Sequence, residues 1–584
     1  MPSDTSERPT HWCVLGRGPS GDLEAVRLAS DGSRLGSTAL SQPELAGFVE
    51  RLEATHAPRW VWHSTSARYA DLLSAGVRIE RCHDLRLSHQ ILRHSSYVRD
   101  RSVFLAAQEW CFDVQAPEPS PPAASPALFD FEVTPPSVGA PDTIAEALAE
   151  FARQRVAVTA SSHPGRLSLL LAAESAGALI AVELATAGVP WDAAEHDRIL
   201  SEALGPRPAG VFEKPIKLAE AGERVREALG DTTAAIDSPP KLLRALRAAG
   251  VEVSSTSQWE LAEHDHPVIA PLLTYKKLAR LLSANGWSWI DEWVHDGRYR
   301  PVYVPGGVVT GRWASSGGGA LQLPRLLRPA LRADPGWKLV TADVSQLEPR
   351  VLAAMSGDRA MAAAGRGKDL YSGIVESGSI ASRADAKLAM LGAMYGATSG
   401  ESGRLVPTLR RVFPAAMRLV DQAADTGERG GTVTTWLGRS SPTAEVEWQA
   451  MQAAASLPDA TRRDEEAARR AARDRGRFTR NFIVQGTAAE WALAWLAEIR
   501  RRLAAFDPVE PAHTAYQSGP VFAGLPHLAF FLHDEIIVHT PAVHADAVAA
   551  AVTESAYAAA RLLFGDGAVD FLLDLQISDR AVKA

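Results

Sequence analysis

Two apolar runs with strand character, WKLVTADVS and LPHLAFFLHDEIIVHTP, stand on either side of an almost wholly helical stretch from about Gly357 to Glu490. Asp343 ends the first run. His533, Asp534 and Glu535 interrupt the second, which reads as a hairpin. A sheet interrupted by a helical module must place that module to one side, which leaves a cleft between two lobes. Carboxylates brought to strand ends from distant parts of a chain are what two-metal phosphoryl transfer requires. A pair of Mg²⁺ ions about 3.5–4 Å apart has to be bridged, one activating a hydroxyl and the other holding the leaving group.

The helical stretch contains SRADAKLAMLGAMYG, in which Arg383, Lys387, Leu391 and Tyr395 recur every four residues and line one slowly drifting stripe. A cationic helix face opposite the carboxylates can neutralise a triphosphate. The segment after Asp343 adds Ser345, Gln346, Glu348 and Arg350. Each signal alone has a plain structural explanation. A strand-end Asp commonly caps a turn, spaced Arg and Lys commonly form a solvated face, and a histidine before hairpin acids is commonly structural. Their order along one chain is what gives them weight.

The chain has 584 residues, 61 Lys+Arg against 69 Asp+Glu, and a net charge of −8, which excludes a wholly basic nucleic-acid coat but not an enzyme with a local basic track. Three cysteines form neither a disulfide framework nor a zinc cluster, and suit a reducing cytoplasm. MPSDTSERPTHW lacks a signal-peptide core and no apolar run reaches about 18 residues, so a soluble cytoplasmic protein without a membrane partner is expected. Residues 1–113 read as a small mixed α/β domain with strands at HWCVLGR and EAVRLAS and helices at RYADLLSAG and DLRLSHQILRHS. Residues 114–141, rich in Pro, Ala and Ser, read as a linker, and 142–300 as mostly helical. VYVPGGVVTGRW reads as a further strand, and the charge-dense 459–480 as a solvated helix.

Taken together, these segments resemble family A DNA polymerases, the DNA polymerase I type. TADVSQLEPR is similar to motif A, RADAKLAMLGAMYG to motif B and HDE to motif C. TGRWASSGGGALQLP, TTWLGR and RFTRNFIVQGTAAEWA also resemble family segments, as do SPPKLLRALRAAGV and LLTYKKLARL of the thumb. The resemblance spans about 165–584. It implies an α/β multidomain right hand: connector and thumb over 142–300, palm over 301–358 and 481–584, and fingers over 359–480. The implied activity is template-directed addition of dNTPs to a primer 3′-hydroxyl on primer–template DNA, with two Mg²⁺ ions. Asp343, Asp534 and the carbonyl of Val344 would be the metal ligands, with Glu535 in support. Arg383 and Lys387 would hold the triphosphate, with Gln346 and Leu391 in the nucleotide pocket. Tyr395 would guard the template base, and Glu348 would be the steric gate against a ribose 2′-hydroxyl. Arg312, Gln322, Arg477, Asn481, Gln485 and His533 would contact DNA, whereas Arg350 and Arg439 match motif arginines of structural or DNA-contacting role. A single-subunit RNA polymerase and a catalytically weak DNA-binding scaffold are the alternatives; Glu348 and the retained carboxylates weigh against them.

Several positions depart from the family pattern. Leu391 stands where Phe or Tyr is usual, Val344 and Pro349 replace Tyr and Leu, Tyr371 replaces a His and Ala320 an Asn. Chains of this length and wording fall in a subgroup described as bifunctional 3′–5′ exonuclease/DNA polymerases. That chemistry needs Asp-x-Glu on the first strand and two later aspartates. HWCVLGR has no acid, Asp22 and Glu24 follow the turn GPSG, and only Asp84 fits a later motif. The expectation is a degenerate exonuclease-like domain without proofreading, and residues 1–141 dispensable for primer extension.

Overall fold

The computed structural model describes residues 8–111, 141–210, 213–317, 319, 323–396, 400–567 and 569–581. The expected linker, but for Pro141, lies outside the described residues. Contacts divide the chain into two compact units, one of 1–188, 302–317 and 335–577, the other of 189–301, 318–334 and 578–584.

The first unit begins with a five-stranded sheet of order β3-β2-β1-β4-β5, built from β1 (Trp12–Arg17), β2 (Leu23–Leu28), β3 (Arg34–Leu40), β4 (Arg59–Trp62) and β5 (Arg81–Asp84). β1, β2 and β3 run antiparallel, whereas β4 and β5 continue parallel to β1. The parallel strands are reached through α1 (Leu45–His56) and α2 (Thr65–Ser74), and β5 leads straight into α3 (Leu85–His94). Sequence patterning does not reveal β3 or β5. RLGSTAL is a mostly exposed edge strand without apolar alternation, and RCHD is too short and polar to stand out.

Both faces of β1 are covered. Cys13 and Leu15 share a core with Trp60, Trp62 and Tyr69, while Val14 packs with Val61, Ile144 and Phe151. Beyond the linker the chain returns along the end of β1: Arg17 N–H donates to Asp142 O at 2.7 Å, and Arg17 pairs with the Asp142 carboxylate. It then enters α5 (Ile144–Thr159) and α6 (Pro164–Ala187); the short α4 (Ser102–Ala106) lies before the linker. A capping box, Thr143 with Glu146, starts α5, and Pro164 in the first turn starts α6.

α6 is the core helix of this region. Leu179 and Ala187 join Phe522 in the cluster that holds Trp60 and Trp62. The buried Glu183 accepts hydrogen bonds from Tyr69, Arg78 and Arg500, and Arg500 also donates to the carbonyls of Ile79 and Glu80 at 2.6 Å. The N-terminal sheet is thus sealed to residues 179–187, 500 and 522. Removing residues 1–141 would expose this core and the buried ion pair, which weighs against the expected dispensability. α6 and residues 542–564 are both long and apolar enough to cross a membrane, although charged residues interrupt the run. Within α6, 72% of the apolar window is buried inside the protein.

The second sheet of this unit has four strands in the order 527–532, 535–541, 337–344 and 573–578. Between its strands 337–344 and 527–532 come the helices of the insert, around a core that includes Leu352, Met361, Ile374, Met390, Leu409 and Phe482. The insert ends in a 42-residue helix, Arg462–Leu503, that starts from a capping box of Thr461 and Asp464 and runs unbroken through position 480. VYVPGGVVTGRW is not one strand. Residues 302–304 pair with 314–317, and Gly306 (φ 64°) and Gly311 (φ 87°) turn the chain between them.

The second unit holds the helices 193–204, 216–229, 239–248, 269–285 and 287–293 and a three-stranded sheet of two-residue strands. Trp191, His196, Trp289 and Tyr299 pack together beside that sheet.

Candidate active site

The strand Trp337–Val344 is buried or half-buried throughout and pairs antiparallel with Glu535–Pro541. The register sets Asp343 opposite Glu535, and Val344 N–H donates to Asp534 O at 2.9 Å. Asp343 and Asp534 are therefore carried to the same end of the sheet on neighbouring strands. Between the hairpin strands, Asp534 N–H reaches back to Leu532 O at 2.7 Å around His533, whose φ is +56°. This tight three-residue turn is sparsely populated for a non-glycine residue, and such conformations concentrate at functional sites. Glu535 is buried at its base. Partial burial and the nearby Arg312 lower the His533 pKa.

Motif A leaves the sheet through a second left-handed residue, Gln346 (φ 52°, ψ 49°), which opens the helix Leu347–Ser356. Its amide donates to Asp369 at 2.8 Å and accepts from Leu370 N–H at 3.2 Å. Arg350 is fully buried and donates to the carbonyls of Ser345, Gly365, Lys368 and Asp570. These bonds tie the motif A turn to the 365–370 segment. Arg439 pairs with buried Glu174.

The helix Arg383–Tyr395 buries Ala386, Ala389, Met390, Ala393 and Met394, leaving Arg383, Lys387 and Tyr395 exposed on the other side. Leu391 is half-buried and leans against the insert's core. Arg383 makes a bidentate pair with Asp369 (3.1 and 2.8 Å) and lies 5.6 Å from the ring of Tyr371, whose pKa burial pushes up to about 12. Sequence alone does not place Asp369 in this site. It caps the helix Leu370–Glu376 through Ser372 N–H, a pattern readable in DLYS as an N-cap, but its contacts with Gln346 and Arg383 depend on tertiary structure.

Glu348 accepts a hydrogen bond from Tyr395 Oη at 2.8 Å and pairs with Arg312. Burial, followed by the charge of Glu348, raises the Tyr395 pKa. The expected gate Glu348, the expected template-base guard Tyr395 and the expected DNA contact Arg312 are thus joined in one polar network. Arg477, Asn481 and Gln485 follow at four-residue spacing along the long helix; Arg477 pairs with Asp474, and Asn481 Oδ1 is buried with no hydrogen-bond partner among the described residues. Gln322 and Ala320 lie outside the described residues.

In the N-terminal sheet, the acids do not assemble. Asp84 is buried and takes Thr65 N–H at 2.7 Å and Leu87 N–H at 2.9 Å, which makes it the N-cap of α3. Glu24 pairs with Arg34, and Asp22 accepts from Ser20. Among the described residues, no three His, Cys, Asp or Glu side chains form a metal cage.

A four-stranded sheet interrupted by a helical insert, with carboxylates on adjoining strand ends, is the palm-and-fingers fold of the polynucleotide polymerases. Within that class, the chain belongs to DNA polymerase family A, whose model matches residues 217–578. It is 29% identical over 299 residues to DNA polymerase I of Chloroflexus aurantiacus, covering 46% of this chain and 29% of that protein. Thermostable DNA polymerases I of Thermus aquaticus (25% over 333 residues; 51% and 35% covered) and Thermus filiformis (26% over 411; 64% and 40%) are also similar. The chain spans between 29% and 40% of the length of these relatives. Among solved structures, it shares its fold with the POL domain of Pol1 from M. smegmatis in complex with DNA primer-template and dNTP (TM-score 0.65, 17% identity, 98% of this chain and 96% of that one).

Proposed function

We propose that this chain is a template-directed DNA polymerase. The observation that carries the reading is the register that sets Asp343 opposite Glu535, with Asp534 beside them in the adjoining turn. In the reaction, a primer 3′-hydroxyl attacks the α-phosphate of a dNTP, the bond to the β-phosphate breaks, and pyrophosphate leaves. Asp343, Asp534 and the carbonyl of Val344 are the residues to hold two Mg²⁺ ions. An all-oxygen set short of a closed cage suits this ion, which keeps waters and substrate phosphates among its ligands. When bound, the metals supply hydroxyl activation and charge stabilisation. Arg383 exchanges Asp369 for the triphosphate as the nucleotide arrives, and Lys387, one turn along, adds a second cation. Glu348, held by Arg312 and Tyr395, closes the space that a 2′-hydroxyl would need.

The N-terminal domain supports the fold and has no proofreading role: β1 carries no acid and Asp84 is committed as a cap. DNA and dNTPs are the partners, in a cytoplasmic, nucleoid-associated setting. The test is primer extension with Mg²⁺, comparing dNTPs with NTPs, in wild type and Asp534→Ala. The expected result is dNTP-dependent extension that falls by ~10³-fold or more in the variant, about 4 kcal/mol in the barrier. DNA affinity should change little because phosphate contacts dominate binding. Extension at the wild-type rate in Asp534→Ala would overturn the assignment.

A further inference from the structure

Trp12, Arg59 and Arg81 are the first residues of β1, β4 and β5, and the strand register sets them side by side at the end of the sheet away from Gly16. Above them, α5 and α6 close a cavity of about 260 Å³ lined by Trp12, Arg59, His83, Phe151, Arg155 and Leu171, among others, with no carboxylate in its wall. This absence matters in a chain whose net charge is −8.

The cations here lack acidic partners. Arg59 donates to Cys82 O (3.0 Å), Arg81 to Ala57 O (3.1 Å) and Arg155 to Ser30 O (3.1 Å), and among the described residues none of the three forms an ion pair with a carboxylate. Arg81 Nε and Trp12 Nε1 are buried without a hydrogen-bond partner among the described residues. Burial and then Arg81 lower the Arg59 pKa, and burial, Arg81, Arg59 and Arg155 all lower that of His11. Partly buried guanidiniums crowded together in this way are stabilised by an arriving anion.

The same wall is aromatic. Trp12 and Phe151 lie 4.9 Å apart, Arg59 lies 5.8 Å over Trp12, and Arg155 lies 5.7 Å over Phe151. His83, brought down to about 4 by burial and hydrogen-bonded to Gln154 at 2.7 Å, adds a neutral ring. A second cavity of about 600 Å³ shares Arg59 and Ala172 with the first and continues along α6 past Arg81 to Arg501. Its acids are largely committed: Glu53 accepts from Trp60 and Glu80 N–H, and Glu498 pairs with Arg501 and Arg502, which leaves Glu80 as the acid at the rim.

We propose that this pocket binds a nucleotide unit, with the base against Trp12 and Phe151 and the phosphate between Arg59 and Arg155. Aromatic faces that stack a base beside guanidiniums that take its phosphate are the two halves of nucleotide recognition. The cavity is the size of one such unit and cannot hold a duplex. The unit can come from free mononucleotide or from a single strand laid along the connected groove.

The test is calorimetric titration of the full chain, in EDTA, with dAMP, with an eight-residue oligothymidylate and with inorganic phosphate. The proposal expects a site for dAMP, the oligonucleotide or both, separate from any DNA bound at the polymerase centre and weakened about tenfold or more in Arg155→Gln, the loss expected for one charge-assisted contact. Arg383→Ala should leave that affinity unchanged, which separates this pocket from the polymerase centre. Binding of dAMP identifies the free nucleotide as the source, and binding of the oligonucleotide alone identifies a strand. Trp12→Leu serves as a second variant, with thermal melting as the check that both variants fold. Phosphate binding as tight as dAMP, affinity insensitive to Arg155→Gln, or no binding at all would overturn the proposal.

Discussion

Glu183→Ala tests the seal between the N-terminal sheet and the rest of its unit. Burial alone would push the Glu183 carboxyl up, but the Arg500 and Arg78 guanidiniums hold it down at about 2. Relative to its ordinary value of 4.5, that difference corresponds to about 3 kcal/mol of stability. Because the folded pKa is the lower one, this contribution is complete above about pH 4.5 and is lost as pH falls toward 2. Removing the carboxylate leaves Arg78, Arg500 and the Tyr69 hydroxyl facing a hole, and breaking a buried pair costs about 3–5 kcal/mol. Arg500 keeps its two backbone carbonyls, so the lower figure is expected. Urea unfolding at pH 7.5, followed by tryptophan fluorescence, should show the midpoint falling by up to about 1 M, because the slope in a chain of this size exceeds about 3 kcal/mol/M. The deficit should shrink below about pH 4.5. Pairing the two changes as Glu183→Leu with Arg500→Met should recover part of the loss, since apolar packing replaces an ion pair well. A deficit under about 1 kcal/mol, or a double variant worse than the sum of its parts, would refute the reasoning.

Four further outcomes follow, one from a buried acid and three from the site. Burial raises the Glu490 pKa to about 7, so this acid subtracts stability as pH rises from about 4.5 to about 7; Glu490→Gln should flatten the fall of Tm across that window and raise Tm at pH 8. Glu348→Ala should relax exclusion of UTP in single-nucleotide incorporation, while Leu391→Tyr should relax exclusion of ddTTP by supplying a hydroxyl worth ~1–3 kcal/mol. An unchanged dTTP/ddTTP ratio would mean that Leu391 only packs against the insert. Arg350→Lys keeps the charge but forfeits most of the carbonyl contacts, so extension and thermal stability should both fall; full activity would show that the motif A turn holds without it.

The strands bearing Asp343 and Asp534 were legible because they are long, apolar and bounded by turn signals. The exposed face of Arg383, Lys387 and Tyr395 was legible because helical periodicity is local. Tertiary pairings were not: Glu183 and Arg500 are 317 positions apart, and nothing near either announces the other. Asp369 likewise reads as an ordinary cap until Arg383 is placed beside it. The 480/481 division between fingers and palm falls inside the 462–503 helix, where neither a proline nor a break in periodicity marks a boundary.

The returning segment at the end of β1 bears on how this chain can change. Cys13, Val14 and Leu15 face filled cores, which leaves Gly16 as the strand position where a carboxylate could be added without emptying a core or breaking the Arg17–Asp142 pair. A Cβ at Gly16 would lie 2.5 Å from Ile144 N and 2.6 Å from its Cα, against backbone that cannot step aside. A side chain there must first dislodge the start of α5, so this end of β1 takes a carboxylate only if the segment returning through Asp142 moves with it.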